Sequence, residues 1–385
     1  MTPSVANARS LGQDSFSRAS GRYRLAVLYG DGIGPEVVTS ARLVLEAAAA
    51  AHSLDLELVE LPIGLEAYHQ FGRTLPPETL DGMRQCDGWI LGPLMSGSYP
   101  KDDKDHPMAS GKLRKRFDLF ANIRPVKSLM PATASNGARP GVNLVIVREN
   151  TEGFYPDRNL HKGYGEFWTT PDTVVSLRVV TRSACARIAE TAFKLASSRN
   201  SRRRVTALHK ANVLLEGDGL FLEEVRRVSR AYPEVTLEEK LVDSAAMQLV
   251  TSPESFDVIL TTNMFGDILS DEAAGLVGGL GLAPSLNAGE RFAMAQAVHG
   301  SAPDIAGKGI ANPVAEILST AMLLRWLQSR FQGDSRLSET ARAMEEGVIH
   351  VLNGDRVSLT PDLGGSASTA DFTNGVIGAL ASQTE

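Results

Sequence analysis

Short apolar runs alternate with amphipathic segments along the first part of the chain. Residues 25–29 form an apolar run typical of a buried strand. The turn at 30–36 then leads into a segment whose apolar residues recur at the 3.6-residue helical period. Pro35 suits the first turn of that helix, where a missing N–H costs nothing. Residues 54–61 alternate like a strand, and residues 88–92 form another buried one. Strand, helix and strand in this rhythm predict an α/β sheet.

The same rhythm continues through the middle of the chain. The pattern predicts strands at 142–147, 174–180, 204–209 and 256–261, and helices at 184–196, 220–231 and 313–326. Asn312 is the predicted N-cap of the last helix, because its side chain can accept a hydrogen bond from the first turn. No Gly/Ser-rich or Pro-rich linker interrupts the chain, so we expect its domains to share a continuous cleft.

Composition narrows the class of protein. A chain of 385 residues suggests two domains, or three at most. With 43% hydrophobic and 22% charged residues it has ample material for a core. The net charge of −6 gives no reason to expect nucleic acid, and the densest basic run, at 199–204, has no interleaved aromatic residues. No apolar run approaches the ~20 residues of a membrane span, so no membrane partner is expected.

The cysteines and the N-terminal segment both bear on the cellular compartment. Cys86 and Cys185 stand in no CxxC or Cys/His ligand spacing, which indicates free thiols in a reducing compartment. Residues 1–24 are expected to be a flexible tail, because they lack the apolar core of a secretory signal. A transit peptide is the weaker alternative, since Arg9 and Arg18 are few and Asp14 interrupts them. We therefore expect a cytoplasmic protein.

The glycine turn after the first strand is ambiguous on its own. Its spacing is G-x-G-x-G followed by Pro35, and no acidic residue ends a second strand at the distance that a dinucleotide fingerprint requires. A tight strand-to-helix turn is the favoured interpretation.

Three arginines stand at or near the ends of predicted elements. Arg114 belongs to a short helix, Pro125 forces Arg124 into an extended backbone, and Arg148 ends the apolar strand 142–147. Guanidinium groups match carboxylates bidentately, so the three could converge on a di- or tricarboxylate. The alternative is that they are ordinary surface arginines.

A lysine and two aspartates carry further candidate chemistry. Lys210 is predicted to lie where a strand ends and a helix begins, which makes it a candidate general base. Asp267 and Asp271 are four positions apart, so a helix would place both carboxylates on one face. That arrangement is repulsive unless a cation joins them. The alternative is two solvated acids near a helix N-terminus.

Several long segments resemble the β-decarboxylating dehydrogenases that act on isopropylmalate, isocitrate, homoisocitrate and tartrate or D-malate, and they occur in the order found in that family. The similarity extends from about Leu25 to the segment 362–365, nearly the whole chain. The segments that carry it are 113–125, 148–155, 208–214, 242–248, 263–272 and 299–313.

The resemblance implies a fold and an assembly. The fold would be α/β, two-domain and isopropylmalate-dehydrogenase-like, with open sheets around a central cleft, unlike the Rossmann fold. Residues 25–119 and 278–385 would form a discontinuous cofactor-binding domain, and residues 120–277 an inserted substrate and dimerisation domain. The chain would act as a homodimer with shared active sites, each borrowing Lys210 and Asp243 from the partner, with residues 154–180 as a dimer arm.

It also implies a set of roles. Mg²⁺ or Mn²⁺ would be held by Asp267 and Asp271 together with Asp243 of the other subunit, since hard cations take oxygen ligands. Lys210, assisted by Asp243, would take the proton of the C2 hydroxyl while hydride passes to NAD⁺, and Tyr155 would protonate the enolate left after CO₂ departs. The carboxylates of the hydroxy-di- or tricarboxylate substrate would be bound by Arg114, Arg124 and Arg148.

The resemblance further marks a cofactor loop. Asp304 would accept hydrogen bonds from the adenosine ribose and would repel a 2′-phosphate, and Ile305 offers no charge to neutralise one, so NAD is favoured over NADP. The cofactor-binding residues would be His299, Gly300, Ser301, Ala302, Pro303, Asp304, Ile305 and Asn312.

The specificity stretch departs from the isopropylmalate pattern. Ser110 falls where a branched apolar contact is expected, and Pro107 falls near a glutamate that helps place the nicotinamide in the family. A small or polar C3 group is therefore expected on the malate, unless Met108 restores an apolar wall. A 3-isopropylmalate dehydrogenase of leucine biosynthesis is the alternative. A non-catalytic regulatory subunit is the alternative of another class, disfavoured because the metal and base residues are all present.

Overall fold

The structure is a computed structural model that describes residues 21–103, 109–130, 138–155, 157, 159–160, 163–199, 201–331 and 333–381. Residues 1–20 of the expected N-terminal tail, and Pro107 and Met108 of the specificity stretch, lie outside these ranges.

Most strands of the described chain belong to one mixed sheet. The strands are β1 (Arg22–Leu28), β2 (Asp55–Glu60), β3 (Gly88–Leu91), β4 (Ala121–Lys127), β5 (Asn143–Glu149), β6 (Glu166–Thr170), β7 (Thr173–Ser176), β8 (Arg204–His209), β9 (Thr236–Leu241), β10 (Val258–Thr261), β11 (Leu286–Ala288) and β12 (Ala293–Ala295). Ten of them form a sheet in the order β2-β1-β3-β12-β11-β4-β5-β10-β8-β9, and β6 and β7 form a separate hairpin.

The described helices cover both faces of this sheet. They are α1 (Gly34–Ala51), α2 (Gly64–Phe71), α3 (Pro77–Arg84), α4 (Ala109–Arg116), α5 (Arg182–Arg199), α6 (Gly217–Ser229), α7 (Val242–Thr251), α8 (Asn263–Leu276), α9 (Val314–Arg330), α10 (Ser335–Leu352) and α11 (Thr369–Ala381). In the part of the chain that the structure describes, no helix is both long and apolar enough to cross a membrane. The α/β class predicted from the sequence is confirmed, and its strand order differs from that of the Rossmann fold.

The sheet has two halves that meet at an antiparallel junction. On one side β2, β1, β3 and β12 run parallel, and on the other β5, β10, β8 and β9 run parallel. Between them, β11 pairs antiparallel with both β12 and β4, and β4 pairs antiparallel with β5. Side chains of β11, β4 and β5 are therefore neighbours across the junction between the two halves.

Each half has its own apolar core. In the first half, α1, α9, α10 and α11 pack against β1, β3, β11 and β12, and the opposite face packs on α3 and α4. In the second half, α5 and α6 cover one face of β5, β8 and β10, and α7 and α8 cover the other. Because strands buried on both faces need apolar residues throughout, the short unbroken apolar runs of the sequence were reliable signals.

The predicted elements are mostly present, with three corrections. The strand at 204–209 has the predicted bounds. Asn312 was predicted as the N-cap of α9, but Pro313 holds that position, and Asn312 lies one residue earlier, where its Oδ1 accepts a hydrogen bond from the Val314 N–H at 3.0 Å. The strand predicted at 174–180 ends at Ser176, in the exposed hairpin. The helix predicted at 220–231 spans Gly217–Ser229, and Lys210, expected where a helix begins, is followed by turns at residues 211–216 instead.

The glycine turn after β1 is a structural turn, as the favoured interpretation had it. Asp31 in this turn is 5% exposed. Its carboxylate accepts hydrogen bonds from the Leu65 N–H at 2.7 Å, the Met95 N–H at 2.9 Å and the Tyr99 hydroxyl at 2.6 Å. Gly32 has φ +63°, and a Cβ there would lie 2.0 Å from the Ser301 carbonyl oxygen. The buried carboxylate therefore joins the start of α2 to the segment 95–99, and the backbone of the turn packs on Ser301.

We predict that Asp31→Ala lowers the free energy of unfolding by about 3 kcal/mol, because it leaves two backbone N–H groups and one hydroxyl without their acceptor. Urea denaturation measures the change. The control is Asp55→Asn, which removes an exposed ion pair to Arg22 and is expected to change stability by less than about 0.5 kcal/mol. Equal effects of the two substitutions would contradict the role given to Asp31.

Candidate active site

Two of the predicted arginines lie side by side beneath the sheet junction. Arg124 of β4 is 6% exposed and Arg148 of β5 is 1% exposed. The interpretation of these residues as ordinary surface arginines is therefore wrong for both. The strand register explains their proximity, since Asn122 pairs with Arg148 and Arg124 follows Asn122 by two residues on the same face.

Carboxylates of α8 compensate these two buried charges. The Oδ1 of Asp267 accepts hydrogen bonds from Arg124 Nη2 at 3.2 Å and from Arg148 Nη1. Arg124 Nη1 donates to the Oδ1 of Asp271 at 3.1 Å and to the Ser270 hydroxyl at 2.5 Å. As the four-residue spacing predicted, both aspartates lie on one face of a helix. Both aspartates are paired with arginines, although the side chains of Asp267 and Asp271 remain 39% and 53% exposed to solvent.

Tyr155 completes this group, which we call the Arg–Asp cluster: Arg124, Arg148, Tyr155, Asp267 and Asp271. The Tyr155 hydroxyl donates to Asp267 Oδ2 and accepts from Arg148 Nη2 at 2.9 Å. The guanidinium carbon of Arg148 also lies 5.4 Å from the centre of the tyrosine ring. A hydroxyl held between a carboxylate and a guanidinium has a fixed orientation, which a proton donor needs.

The electrostatics of the two aspartates differ. Burial alone would raise the pKa of Asp267, but the charges of Arg148, Arg124 and Arg114 and the Tyr155 hydrogen bond hold it below its usual value. Burial raises the pKa of Asp271, against the charge of Arg124. Burial, followed by the neighbouring charge of Arg148, lowers the pKa of Arg124 to about 10. A cation bound beside Asp271, in addition to Arg124, would stabilise the ionised carboxylate of Asp271.

Arg114 approaches the same region from α4. Its Nη1 donates to Asn150 Oδ1 at 3.5 Å and its Nη2 to Gln296 Oε1 at 3.3 Å. The charge of Arg114 also helps to hold the pKa of Asp267 below its usual value, although the hydrogen bonds of Arg114 described here go to residues outside the Arg–Asp cluster. Ser110 lies one helical turn before Arg114 on α4 and is partly buried.

Lys210 and Asp243 form a second group. Lys210 Nζ donates to Asp243 Oδ1 at 2.8 Å, with the side chains 29% and 64% exposed. This hydrogen bond holds the pKa of Asp243 below its usual value. Within the residues that the structure describes, no three His, Cys, Asp or Glu side chains are placed to hold a metal. A single chain thus does not assemble Asp243 with Asp267 and Asp271.

The structure adds site residues that the sequence reasoning missed. Asn263 Oδ1 accepts from Arg148 Nε at 2.9 Å and Nη2 at 2.7 Å, and its Nδ2 donates to the Glu152 carbonyl at 2.7 Å. Gly266 lets α8 approach, since a Cβ there would lie 2.7 Å from Arg148. The position of Asn263 directly after the strand β10 was the available signal, as it is for many binding residues of parallel sheets.

The predicted cofactor loop packs on the glycine turn and α1. The Ser301 carbonyl accepts from the Ile33 N–H at 2.9 Å, and the Gly307 N–H donates to Glu36 Oε1 at 2.6 Å. At the far end, Asn312 Nδ2 donates to Asp362 Oδ2 at 2.9 Å. Between these anchors Pro303 and Asp304 are exposed, while Ala302 and Ile305 pack on the first core. His299 Nδ1 lies 3.0 Å from the Gly300 carbonyl oxygen.

A buried glutamate lies next to this loop. Glu316, in the first turn of α9, is fully buried. Its Oε2 accepts from the Ala297 N–H at 2.9 Å, and its Oε1 has no hydrogen-bond partner among the described residues. Burial raises the pKa of Glu316 to about 8, against the lowering effect of the Ala297 N–H.

Comparison of the chain with known proteins identifies its family. Residues 24–376 match the model of the isocitrate/isopropylmalate dehydrogenase family. The chain belongs to this family. It is therefore a dehydrogenase, and the kind of reaction implied by the sequence resemblance is confirmed.

Relatives within the isocitrate/isopropylmalate dehydrogenase family carry different substrate names. The chain is 46% identical to an isocitrate/homoisocitrate dehydrogenase of Thermus thermophilus, over 94% of this chain and 99% of that one. It is 43% identical to a 3-isopropylmalate dehydrogenase of Archaeoglobus fulgidus, over 93% and 99%. Its fold matches the crystal structure of isocitrate dehydrogenase from Methylococcus capsulatus with a TM-score of 0.82 at 38% identity, covering 93% of this chain and 99% of that chain.

The Glu316 carboxyl predicts a pH dependence of stability. Its folded-state pKa, about 8, lies above the ordinary value of 4.5. Its contribution to stability is therefore complete below about pH 4.5 and is lost as the pH rises through about 8. Glu316→Gln should abolish that part of the slope, so the variant should gain on the wild type between about pH 5 and pH 9.

Urea midpoints of both proteins at these two pH values measure the effect. Glu346→Gln, on an exposed side chain of α10, is the control and should follow the wild type. Parallel pH profiles of wild type and Glu316→Gln would show that Glu316 is ionised throughout.

Proposed function

We propose that the chain is an NAD-dependent, divalent-metal-dependent dehydrogenase that oxidises and then decarboxylates a 3-substituted (2R)-malate. The Arg–Asp cluster is the observation that carries this proposal. It combines two buried guanidinium groups, which suit a polycarboxylate, with two adjacent carboxylates and an oriented hydroxyl. A nucleotide-binding protein without catalysis has no use for this combination.

The donor set fits Mg²⁺ or Mn²⁺. Asp267 and Asp271 supply carboxylate oxygens from one helix face, with side chains 39% and 53% exposed. Hard divalent cations take such oxygen ligands and keep waters in their remaining positions. A third carboxylate, Asp243 of the partner subunit, would complete the set, consistent with its exposure in the single chain.

Each residue has a separate task in the proposed reaction. A divalent metal held by Asp267 and Asp271 would supply a Lewis acid next to the C2 oxygen of the substrate, and NAD⁺ would be the hydride acceptor. Arg114, Arg124 and Arg148 hold the substrate's carboxylates, including the one that is lost as CO₂. Lys210 of the partner subunit would take the hydroxyl proton as a neutral amine, which can still donate the hydrogen bond to Asp243 that fixes its position. After CO₂ leaves, Tyr155 returns a proton to C3.

An exposed apolar surface supports the homodimer. Met247 of α7 is 59% exposed and Ile268 of α8 is 61% exposed, and Val213 and Leu215 near Lys210 are 65% and 69% exposed. A contiguous patch of exposed apolar side chains marks a protein contact surface, and we propose that these four residues belong to one. Since Ile268 neighbours Asp267, an interface here would bring the partner's Lys210 and Asp243 close to the Arg–Asp cluster.

The exposed hairpin and the order of strands in the large sheet support the proposed dimer arm and domain boundaries. The hairpin of β6 and β7 is exposed, with Trp168 at 69%, as a dimer arm would be in an isolated chain. Every strand from 121 to 261 in the large sheet lies in one half, which supports the division into a substrate domain at 120–277 and a cofactor domain at 25–119 and 278–385.

The cofactor loop suits NAD. The exposed carboxylate of Asp304 is able to accept from ribose hydroxyls and would repel a 2′-phosphate, and Ile305 beside it carries no charge. The buried Nε2 of His299 has no hydrogen-bond partner among the described residues, so it is available to a base of the cofactor.

The C3 substituent of the substrate is proposed to be small or polar. Ser110 lies one turn from Arg114, and a serine cannot reward an isopropyl group as a branched apolar residue would. The isocitrate/homoisocitrate name of the Thermus relative agrees with this choice. The alternative is 3-isopropylmalate, the substrate in the name of the Archaeoglobus relative.

We predict NADH formation from at least one member of a panel of isocitrate, homoisocitrate, (2R)-malate, tartrate and 3-isopropylmalate, with NAD⁺ and Mn²⁺. EDTA should abolish the activity and Mn²⁺ or Mg²⁺ should restore it. Asp271→Asn should require more metal for half-maximal rate, whereas Glu272→Gln, at the half-buried neighbouring position, should not. Full turnover in EDTA, or no turnover of any panel member, would refute the proposal.

We predict that Ser110→Leu raises kcat/KM for 3-isopropylmalate and lowers it for the preferred substrate. Each buried methylene contributes about 0.8 kcal/mol, so the shift in preference should be on the order of 10–100-fold. Ser110→Ala, which adds no apolar bulk, is the control. A wild type that prefers 3-isopropylmalate by tenfold would overturn the substrate assignment and leave the reaction class intact.

A further inference from the structure

Three buried amide side chains lie directly behind the arginines of the proposed substrate site. Asn122, Asn150 and Asn287 are each at most 1% exposed. Asn287 of β11 pairs in register with Asn122 of β4, and Asn122 pairs with Arg148 of β5. This polar row crosses the antiparallel junction where the two halves of the sheet meet.

The arginines determine how the amides are turned. Arg124 Nε donates to Asn122 Oδ1 at 2.6 Å, and Arg114 Nη1 donates to Asn150 Oδ1 at 3.5 Å. Because a guanidinium group only donates, both amides must direct their oxygens toward the arginines and their NH₂ groups inward. Both NH₂ groups then donate to one atom, Asn287 Oδ1, at 3.1 Å from Asn122 and 3.0 Å from Asn150.

The inner amide, Asn287, is unfavourable for the stability of the fold, so its presence needs another explanation. The Nδ2 of Asn287 is buried with no hydrogen-bond partner among the described residues, which is unfavourable for folding. Each outer amide also has a second acceptor for its NH₂ group: Ser285 Oγ at 2.8 Å for Asn122, and the Leu119 carbonyl at 3.0 Å for Asn150. Loss of Asn287 would therefore loosen both amides without leaving either NH₂ group wholly unpaired.

We propose that Asn287 is a positioning residue that sets the separation and orientation of Arg114 and Arg124 together. It acts only through Asn150 and Asn122, and one carbonyl oxygen thereby couples Arg114 of α4 to Arg124 of β4. The inference rests on the proposed function, in which these arginines bind the substrate's carboxylates. Two guanidinium forks held at one spacing select ligands whose carboxylates have the matching spacing.

Asn287→Leu, which has similar size but no acceptor, tests this role in the full-length enzyme with NAD⁺ and Mn²⁺. We expect kcat/KM for the hydroxy acid to fall about 10–100-fold, mainly through KM, while KM for NAD⁺ is unchanged. Asn287→Asp keeps the acceptor oxygen and should restore most of the substrate affinity. Ser285→Ala, which removes one acceptor of Asn122 and none of Asn150, should have a smaller effect. Asn287→Ser, too short to reach both amides, replaces the leucine variant if that variant does not fold.

Calorimetric binding without NAD⁺ separates this inference from the proposed function. In Mn²⁺, Asn287→Leu should weaken (2R)-malate, with two carboxylates, more than (2R)-lactate, with one. If the wild type turns over no hydroxy acid but shows this difference, the proposed function fails and the inference stands. Three results would overturn the role of Asn287. The first is an equal rise in KM for hydroxy acid and for NAD⁺, and the second is unchanged (2R)-malate binding in a folded variant. The third is a wild type that does not bind (2R)-malate.

Discussion

The Asp267 carboxylate makes it tolerable to bury two guanidinium groups next to each other. Arg124 and Arg148 would repel one another and would each lose hydration if no anion joined them. One oxygen of Asp267 accepts from both, and the other accepts from Tyr155. The close approach of α8 to β5, which Gly266 permits, is needed for that contact. The helix carrying the proposed metal ligands is thus fixed by the residues proposed to bind substrate.

This arrangement suits a site that exchanges partners during a reaction. In the isolated chain the arginines are neutralised by aspartates. In the proposed complex, a substrate carboxylate would pair with the arginines and a metal with the aspartates, so each charge would remain compensated. Behind the site, the amides of Asn122, Asn150 and Asn287 keep the guanidinium groups oriented during such an exchange.

The sequence predicted what depends on local pattern and missed what depends on strand register. The four-residue spacing placed Asp267 and Asp271 on one helix face, and the apolar run before Arg148 placed it at a strand end. The helical pattern at 220–231 lies within three residues of α6 at its start, whereas Lys210, expected at a helix start, lies seven residues before Gly217. Asn263 was missed although it follows a predicted strand. Asn287 was not foreseen, since the partners of its side chain are set by which strands become neighbours, and local sequence does not encode that order.

In the single chain Lys210 and Asp243 lie apart from the Arg–Asp cluster, and we therefore propose that two chains share each active site. The test is to mix subunits carrying Lys210→Met with subunits carrying Asp271→Asn, at a metal concentration that saturates the wild type and not Asp271→Asn. Under this condition each variant alone should have little activity, and the mixed dimer should contain one site with both native residues. After subunit exchange, activity should recover to about a quarter of the wild-type value, since half of the dimers are mixed and half of their sites are intact. A verified mixture as inactive as its two components would contradict shared sites.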